Sequence, residues 1–516
     1  MSRTRSRVWL AAVTTLFMAL AVGVAQPASA AQPAFAAPGQ PASAAQQAFA
    51  APGQPYTNPI KSQKGADPWV VWHEGSYYLI TTTFTNKLLM RRSPTLAGLA
   101  TAPSVQVWED TTSSRGTNFW APELHFIDNR WYLYYSGARV GAACCDTQRT
   151  HVLESAGTDP MGPYTHKNML AGSNLTPGPG WLIDASPMRL NGSLYLLGSG
   201  FIGGSAQSLV IAPMSNPYTL ASNTFSIISR PTHAWERSSD PVNEGPVALQ
   251  RDGRTFIVFS ASQCQTPDYK LGMLTYAGGD PLSASSWTKT ANPIFQRNDA
   301  NRVYGPGHNG FFTSPDGTES WIVYHANSSS NGGCGNGRTT RAQKFTWNAD
   351  GTPNLGTPVA TGVSLNGPAG ETATTPTAYR IVNRNSGKCL DVSGGGTADG
   401  ADVIQWTCHN GTNQRWRFED LGDDNSRLVN VGSGKVLDVN ACGSADGANI
   451  QQWSWSNNNC QKFRPVVADQ GGWVRLVNLN SGKVAEVANC GTADGADVRQ
   501  WSRMNSNCQQ WQLQPV

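Results

Sequence analysis

Three carboxylates stand in apolar or strand-like surroundings, where an acid is costly unless it is paired or used. Asp67 lies in Gly-Ala-Asp-Pro-Trp-Val-Val, Asp184 in Trp-Leu-Ile-Asp-Ala-Ser-Pro-Met, and Glu244 in Pro-Val-Asn-Glu-Gly-Pro-Val-Ala-Leu. Asp128, Asp252 and Asp316 instead sit at hairpin tips such as Asp252-Gly253 and Asp316-Gly317, and read as solvated turn residues. Inverting hydrolysis of a glycosidic bond needs one ionised carboxylate to take a proton from water and one protonated carboxyl to donate to the leaving oxygen. A third acid beside the donor raises its pKa by like-charge repulsion, so both protonation states coexist at one pH. No His or Cys cluster has catalytic-metal spacing and no glycine loop is built to cradle phosphate, so redox and nucleotide chemistry lack support.

The elements that must hold these acids are short. Apolar and aromatic runs such as Trp69 to Trp72, Tyr77 to Ile80, Trp131 to Tyr135, Leu194 to Leu197, Phe256 to Phe259 and Trp321 to Tyr324 stand between Gly, Asn, Asp and Pro clusters. No long 3.6-residue pattern appears. With 53 Gly, 32 Pro and 18 Trp among 516 residues, the chain reads as all-β. A large sandwich, a barrel and a propeller of about four to eight blades are all compatible with the strand spacing of the first 300 or so residues. Charged residues are 14% and hydrophobic ones 39%, which excludes disordered, polyelectrolyte and coiled-coil classes.

Residues 1–30 read as a secretory signal: Arg3, Arg5 and Arg7, an apolar stretch from Val8 to about Val24, then Ala28-Ser29-Ala30. Its removal takes the formal charge from +4 to +1, so no nucleic-acid footprint remains. No later window reaches the roughly 20 apolar residues of a membrane span. A secreted, extracellular, soluble protein is expected, with disulfides the default for its ten Cys. Residues 31–55 are Ala/Pro/Gln-rich, repeat Phe-Ala-Ala-Pro-Gly-Gln-Pro at 35 and 49, and are expected to be disordered. A second composition break at 365–378 reads as a linker between folded regions 56–364 and 379–516.

The C-terminal region is a threefold repeat. Ala-Asp-Gly-Ala recurs at 398, 445 and 493, followed by Trp406, Trp453 and Trp501, then by Gln414-Arg-Trp416, Gln461-Lys-Phe463 and Gln509-Gln-Trp511. The cysteines keep the period, which pairs Cys389 with Cys408, Cys442 with Cys460, and Cys490 with Cys508. These 138 residues resemble the ricin-type β-trefoil lectins, carbohydrate-binding module family 13, through their Gln-x-Trp triplets. The resemblance implies sugar-binding acids at Asp391, Asp438 and Glu486, stacking platforms at Trp406, Trp453 and Trp501, and hydroxyl partners at Asn413, Asn459 and Asn507. Glu486 departs from the family Asp by one methylene, so the resemblance is least complete at the third site; the Gln-x-Trp residues read as core struts.

The three acid segments, with Phe-Trp-Ala-Pro-Glu at 119–123 and Tyr-Gly-Pro-Gly-His-Asn at 304–309, resemble glycoside hydrolase family 43 in motif order, and within it the α-L-arabinofuranosidases. This resemblance implies a five-bladed β-propeller with its site at one end of the axis. It implies Asp67 as general base, Asp184 as the acid that tunes pKa and orients its partner, and Glu244 as general acid. Trp120 would wall the sugar subsite and Arg341 would contact sugar or base. His308 would lie near the axis, where a structural cation such as calcium is expected; no cofactor is expected for catalysis. Cys144 and Cys145 either form a vicinal disulfide, leaving Cys264 with Cys334, or each bridge to a distant partner. The implied activity is exo-acting release of L-arabinofuranose from α-1,5-arabinan or arabino-oligosaccharides, by a monomer held on arabinan or arabinoxylan by its trefoil, with neither nucleic acid nor membrane as partner. β-Xylosidase, endo-arabinanase and exo-galactanase activities share the acids, and a non-catalytic lectin is the remaining alternative.

Overall fold

The computed structural model describes residues 53–516 apart from 144, 179 and 423. The signal expected at 1–30, most of the 31–55 segment, and Cys144 therefore lie outside the described residues. Helix is confined to single 3₁₀ turns among the described residues, and none is long and apolar enough to cross a membrane.

The first region is a ring of antiparallel meanders. Four are separate sheets. Thr117–Ile127 pairs in order with Arg130–Ala138, Arg149–Ser155 and Tyr164–Leu170, and Ile183–Leu190 with Ser193–Gly200 and Ser208–Asn216, which carries two short outer strands. Asn243–Arg251 leads to Arg254–Ala261, Lys270–Tyr276 and Trp287–Lys289, and Tyr304–Thr313 to Ser320–Asn327, Thr339–Trp347 and Pro353–Asn354. The meander Trp69–His73, Ser76–Ile80, Lys87–Ser93, Val105–Glu109 continues into the second region through one parallel pairing, Gln106 with Val466. The arrangement is propeller-like.

Local chemistry explains the first hairpin of most meanders. Glu74-Gly75, Asp128-Asn129, Asn191-Gly192 and Asp252-Gly253 are two-residue turns with φ positive at both positions, the conformation that matches strand twist. Asp128 and Asp252 are thus turn residues. Asp316 also sits in a turn, accepting from Ser314 Oγ and the Thr318 N–H.

Cores form between neighbouring sheets, as where Met188, Leu197 and Leu209 meet Ile257, Phe259 and Leu274. The ring closes where Val70, Tyr77 and Leu79 pack on Phe312, Trp321 and Ala342. Gly53–Thr57 reinforces that closure: it pairs with Ser364–Gly367, and the Tyr56 hydroxyl donates to the Ala342 carbonyl. This corrects the boundaries read from composition, since residues 53–55 are strand and the 365–378 connection is docked. Glu371 fastens it by accepting the N–H groups of Gln54 and Leu96, 2.8 Å each.

The second region has four short strands per repeat, beginning at Tyr379, Ser426 and Trp473. Trp416, Phe463 and Trp511 are fully buried at its centre, and the two indoles donate to the carbonyls of Leu390 and Ala485. The Ala-Asp-Gly-Ala motif is a clasp between repeats. Asp399 accepts from Ser454 and Lys435 of the second repeat, Asp446 from Ser502 and Lys483 of the third, and Asp494 from Thr407 and Lys388 of the first, which closes the cycle. Disulfides join Cys389 to Cys408, Cys442 to Cys460 and Cys490 to Cys508.

Candidate active site

Five residues in the first strands of the meanders, or just before them, share one backbone irregularity. At the start of each innermost strand a residue takes φ of 44–55°: Asp67, Ala121, Asp184, Gly245 and His308. In the last four the ladder also shifts register there, as at a bulge. Asp and His tolerate the left-handed region better than most residues, and Gly245 needs no tolerance. Pro68, Pro122 and Pro246 follow three of them and bring no N–H to a place where the ladder offers no acceptor. Side chains at or beside these positions, those of Asp67, Asp184, Glu244 and His308, meet in one cluster.

Asp67 is buried and strongly held. Its Oδ1 accepts from Arg338 Nη1 at 2.9 Å and lies 3.4 Å from His308 Nδ1, and its Oδ2 accepts from the Thr82 hydroxyl at 2.6 Å. Thr82 also accepts the Ala121 N–H, which ties this acid to the next inner strand. The Asp67 N–H donates to His325 Nδ1, and burial, aided by the Arg338 charge, lowers His325 to about 4. Burial pushes the Asp67 carboxyl up, but Arg338 and His308 outweigh it and hold the group well below its ordinary value.

Asp184 and Glu244 move the other way. Burial, reinforced by the charges of Glu244 and Asp67 and opposed by His308, raises Asp184 to about 7. Glu244 is also raised, by burial first and with a contribution from Asp67, although His308, Tyr269 and Gln207 pull it down. Desolvation thus does most of the work expected of a neighbouring carboxylate, and the Glu244 charge adds to it at Asp184. Glu244 is partly exposed while Asp184 is buried. Tyr269 OH donates to Glu244 Oε1 at 2.8 Å, Gln207 Nε2 to Oε2 at 3.0 Å, and the Gly245 N–H to Asp184 Oδ2 at 3.0 Å.

His308 lies among all three acids, and its ring packs on Gly245, where a Cβ would be 3.3 Å from Nδ1. Burial disfavours its charge, but Asp67, Asp184 and Glu244 together raise it above the ordinary imidazole value. Ligand atoms of Asp184, Glu244 and His308 fall within 4.8 Å of one another. Calcium takes six to eight oxygens, waters included, so these three groups could supply only part of its shell.

Trp120 precedes Ala121, is partly exposed, and has a buried Nε1 with no hydrogen-bond partner among the described residues. The arginine on Asp67 is Arg338 and not Arg341. Arg341 lies two residues inside the strand, fully buried, where it donates to Thr339 and Ser328. Sequence reading also missed Thr82, Gln207, Tyr269 and His325. The signal present for His325 was a histidine closing the apolar run Trp321 to Tyr324. Tyr269 stacks on His325 with centroids 5.4 Å apart, so the supports of the acid and the base touch. Cys264 bonds to Cys334, which joins the loop leading to Tyr269 with the loop leading to Arg338.

In the trefoil, Asp391 accepts from Asn413 at 2.9 Å and Gln414 at 2.8 Å. Asp438 accepts from Gln451, and Glu486 from Gln509 and Arg499. Asn459 and Asn507 open the 3₁₀ turns that precede the buried aromatic struts. Trp406 and Trp453 are exposed, while Trp501 is only partly so.

Residues 56–353 match the family described as glycosyl hydrolases family 43. Residues 341–453 and 459–516 match the ricin-type beta-trefoil lectin domain-like family, although Thr339–Trp347 belongs to the last sheet of the ring. An extracellular exo-alpha-(1->5)-L-arabinofuranosidase of Streptomyces avermitilis is 40% identical over 320 residues, covering 60% of this chain and 65% of that protein. One of the same description from Streptomyces chartreusis is 36% identical over 278 residues, covering 52% of this chain and 82% of that protein. The chain thus spans just under two thirds of the first relative. The crystal structure of an alpha-L-arabinofuranosidase from Lactobacillus brevis superposes with a TM-score of 0.55 at 33% identity, covering 60% of this chain and 98% of that one.

Proposed function

The chain belongs to glycosyl hydrolases family 43, and from that premise we propose that it is a secreted, monomeric exo-α-L-arabinofuranosidase that acts by inversion on α-1,5-arabinan or arabino-oligosaccharides. One observation carries the reading. Within a single buried cluster, Asp67 is driven toward the ionised state and the Asp184–Glu244 pair toward the protonated one. Asp67, fixed by Arg338 and Thr82, takes the proton from the attacking water. Glu244, the partly exposed member of the pair, gives its proton to the leaving oxygen, and Asp184 tunes and orients that donor. His308 offsets the negative charge left behind. Trp120, partly exposed, offers an indole face to the terminal sugar.

The substrate is assigned from the names of the Streptomyces relatives, and export is supported by their being called extracellular and by the disulfides. We read the meander at Trp69–Glu109 as a fifth blade beside the four separate sheets, a reading supported by the similar irregular positions at Asp67, Ala121, Asp184, Gly245 and His308. We read 56–364 as the catalytic unit and 379–516 as a carbohydrate-binding unit that holds the enzyme on arabinan or arabinoxylan. The test is the anomer first released from arabino-oligosaccharides, followed by NMR, together with a panel of arabinose, xylose and galactose substrates. Inverted arabinose from chain ends is expected; a retained product, or release of xylose or galactose in preference, overturns the assignment.

A further inference from the structure

We propose that Arg499 closes the sugar face of the third trefoil repeat from within, so that the trefoil presents two open carbohydrate sites, at Trp406 and Trp453. This rests on the reading that the trefoil binds carbohydrate. In every repeat the residue two before the Trp pairs across the hairpin with the acid: Ile404 with Asp391, Gln451 with Asp438, Arg499 with Glu486. Side chains alternate along a strand, so this residue and the Trp share one face, and what occupies the space between acid and indole is decided there.

The three repeats fill that space differently. Ile404 is buried and brings no charge, and Gln451 is buried with its amide on Asp438 at 3.0 Å. Arg499 is longer. Its Nη2 donates to Glu486 Oε1 and to Asn489 Oδ1, each at 3.2 Å, and its guanidinium carbon sits 4.2 Å from the centroid of the Trp501 ring. That is within cation–π range, and it places a cation where the C–H edges of a sugar would stack. The extra methylene of Glu486 extends its carboxylate toward Arg499. A sugar entering here must displace both the ion pair and the ring contact, whereas 43% of Trp406 and 42% of Trp453 are already open to solvent. The neighbouring repeat does not explain the difference. A Cβ at Gly495, Gly400 or Gly447 would lie 3.6–3.8 Å from Trp406, Trp453 or Trp501 respectively, the same flank in each case.

The experiment uses the full chain and affinity electrophoresis through gels containing arabinan or arabinoxylan. Trp406→Ala and Trp453→Ala should each weaken retention several-fold, and Trp501→Ala should change it less than twofold. Arg499→Ile, which copies the first repeat, should strengthen retention, and Trp501→Ala placed on that background should then remove the gain. Loss in Trp501→Ala equal to that in Trp406→Ala, with Arg499→Ile neutral or weaker, overturns the closure while leaving the lectin reading intact. Unchanged retention in all three single Trp variants overturns the lectin reading and the closure with it.

Discussion

The acids of the propeller-like region come from positions 67, 184 and 244, and a histidine from 308 sits among them. In the trefoil the acid, indole and asparagine of each site come from about two dozen consecutive residues, as from Asp391 to Asn413. The first arrangement is buried and electrically lopsided, with one carboxylate pushed down and two pushed up. The second leaves two indoles exposed and ties its clasp aspartates to lysines at the surface. Proton transfer at one pH requires groups whose environments differ: burial raises all three carboxyls, and the charges of Arg338 and His308 set Asp67 apart. Holding a polymer requires repeated, accessible faces of modest individual strength. The contrast also shows where distance along the chain matters: a site assembled from four meanders depends on ring closure, whereas a site inside one repeat depends on a hairpin.

The largest expected effect lies in the buried acids. Asp67→Asn should cost about 10²–10⁴-fold in kcat on every substrate, the range of a general base. Glu244→Gln should lose as much on arabino-oligosaccharides yet spare aryl arabinofuranosides with good leaving groups, which need little protonation. Steady-state rates on the two substrate classes decide this, and equal losses for both variants on both classes would erase the distinction between base and acid.

Next comes Arg338, which acts through Asp67 as a positioning residue. Asp67 must be ionised, so the acid limb of kcat/KM lies well below the ordinary carboxylate range. The donor Glu244 must be protonated, and burial holds it above its ordinary value, so the alkaline limb should lie above the ordinary carboxylate range. Arg338→Met should reduce kcat/KM about 10-fold or more and move the acid limb upward, because a buried Asp67 without its guanidinium titrates higher. Arg338→Lys should restore part of the limb position. An unmoved acid limb in Arg338→Met would show that the contact is only structural.

A smaller effect concerns stability. Asp184 is raised in the fold, so between the ordinary Asp value and about 7 the native state binds more protons than the unfolded chain, and stability falls as pH rises through that window. Asp184→Asn should therefore raise Tm at pH 7 while removing most activity, and the gain should shrink toward pH 4. Thermal melts at the two pH values measure it; a lower Tm at pH 7 would mean that the Gly245 hydrogen bond outweighs the buried charge.

The smallest effect belongs to the exposed acids. Replacing Asp399, Asp446 and Asp494 together by Asn should lower Tm by only a small amount, and added salt should lessen the difference, since surface ion pairs are weak and screened. A melt in low and high NaCl checks it. A collapse as severe as that of a core variant would make the clasp a main source of trefoil stability.

The sequence by itself determined what recurs or what is locally out of place. The trefoil repeat, its three disulfides and its buried aromatic struts follow from a period of 47 and 48 residues, because each copy must present the same contacts to its neighbours. The acid trio was legible because Asp67, Asp184 and Glu244 interrupt apolar runs that otherwise form buried strands. Tertiary structure decided the rest. Arg338 and Arg341 are indistinguishable in the string Arg-Thr-Thr-Arg, and only the start of the strand at Thr339 sets one on Asp67 and the other away from it. Composition marked 365–378 as a tether, but Glu371 finds the N–H groups of Gln54 and Leu96, which no local pattern reveals. Arg499 reads as an ordinary strand residue until hairpin register sets it between Glu486 and Trp501. These pairings join residues brought together by ring closure or register, and a sequence records the groups without the geometry that selects among their partners.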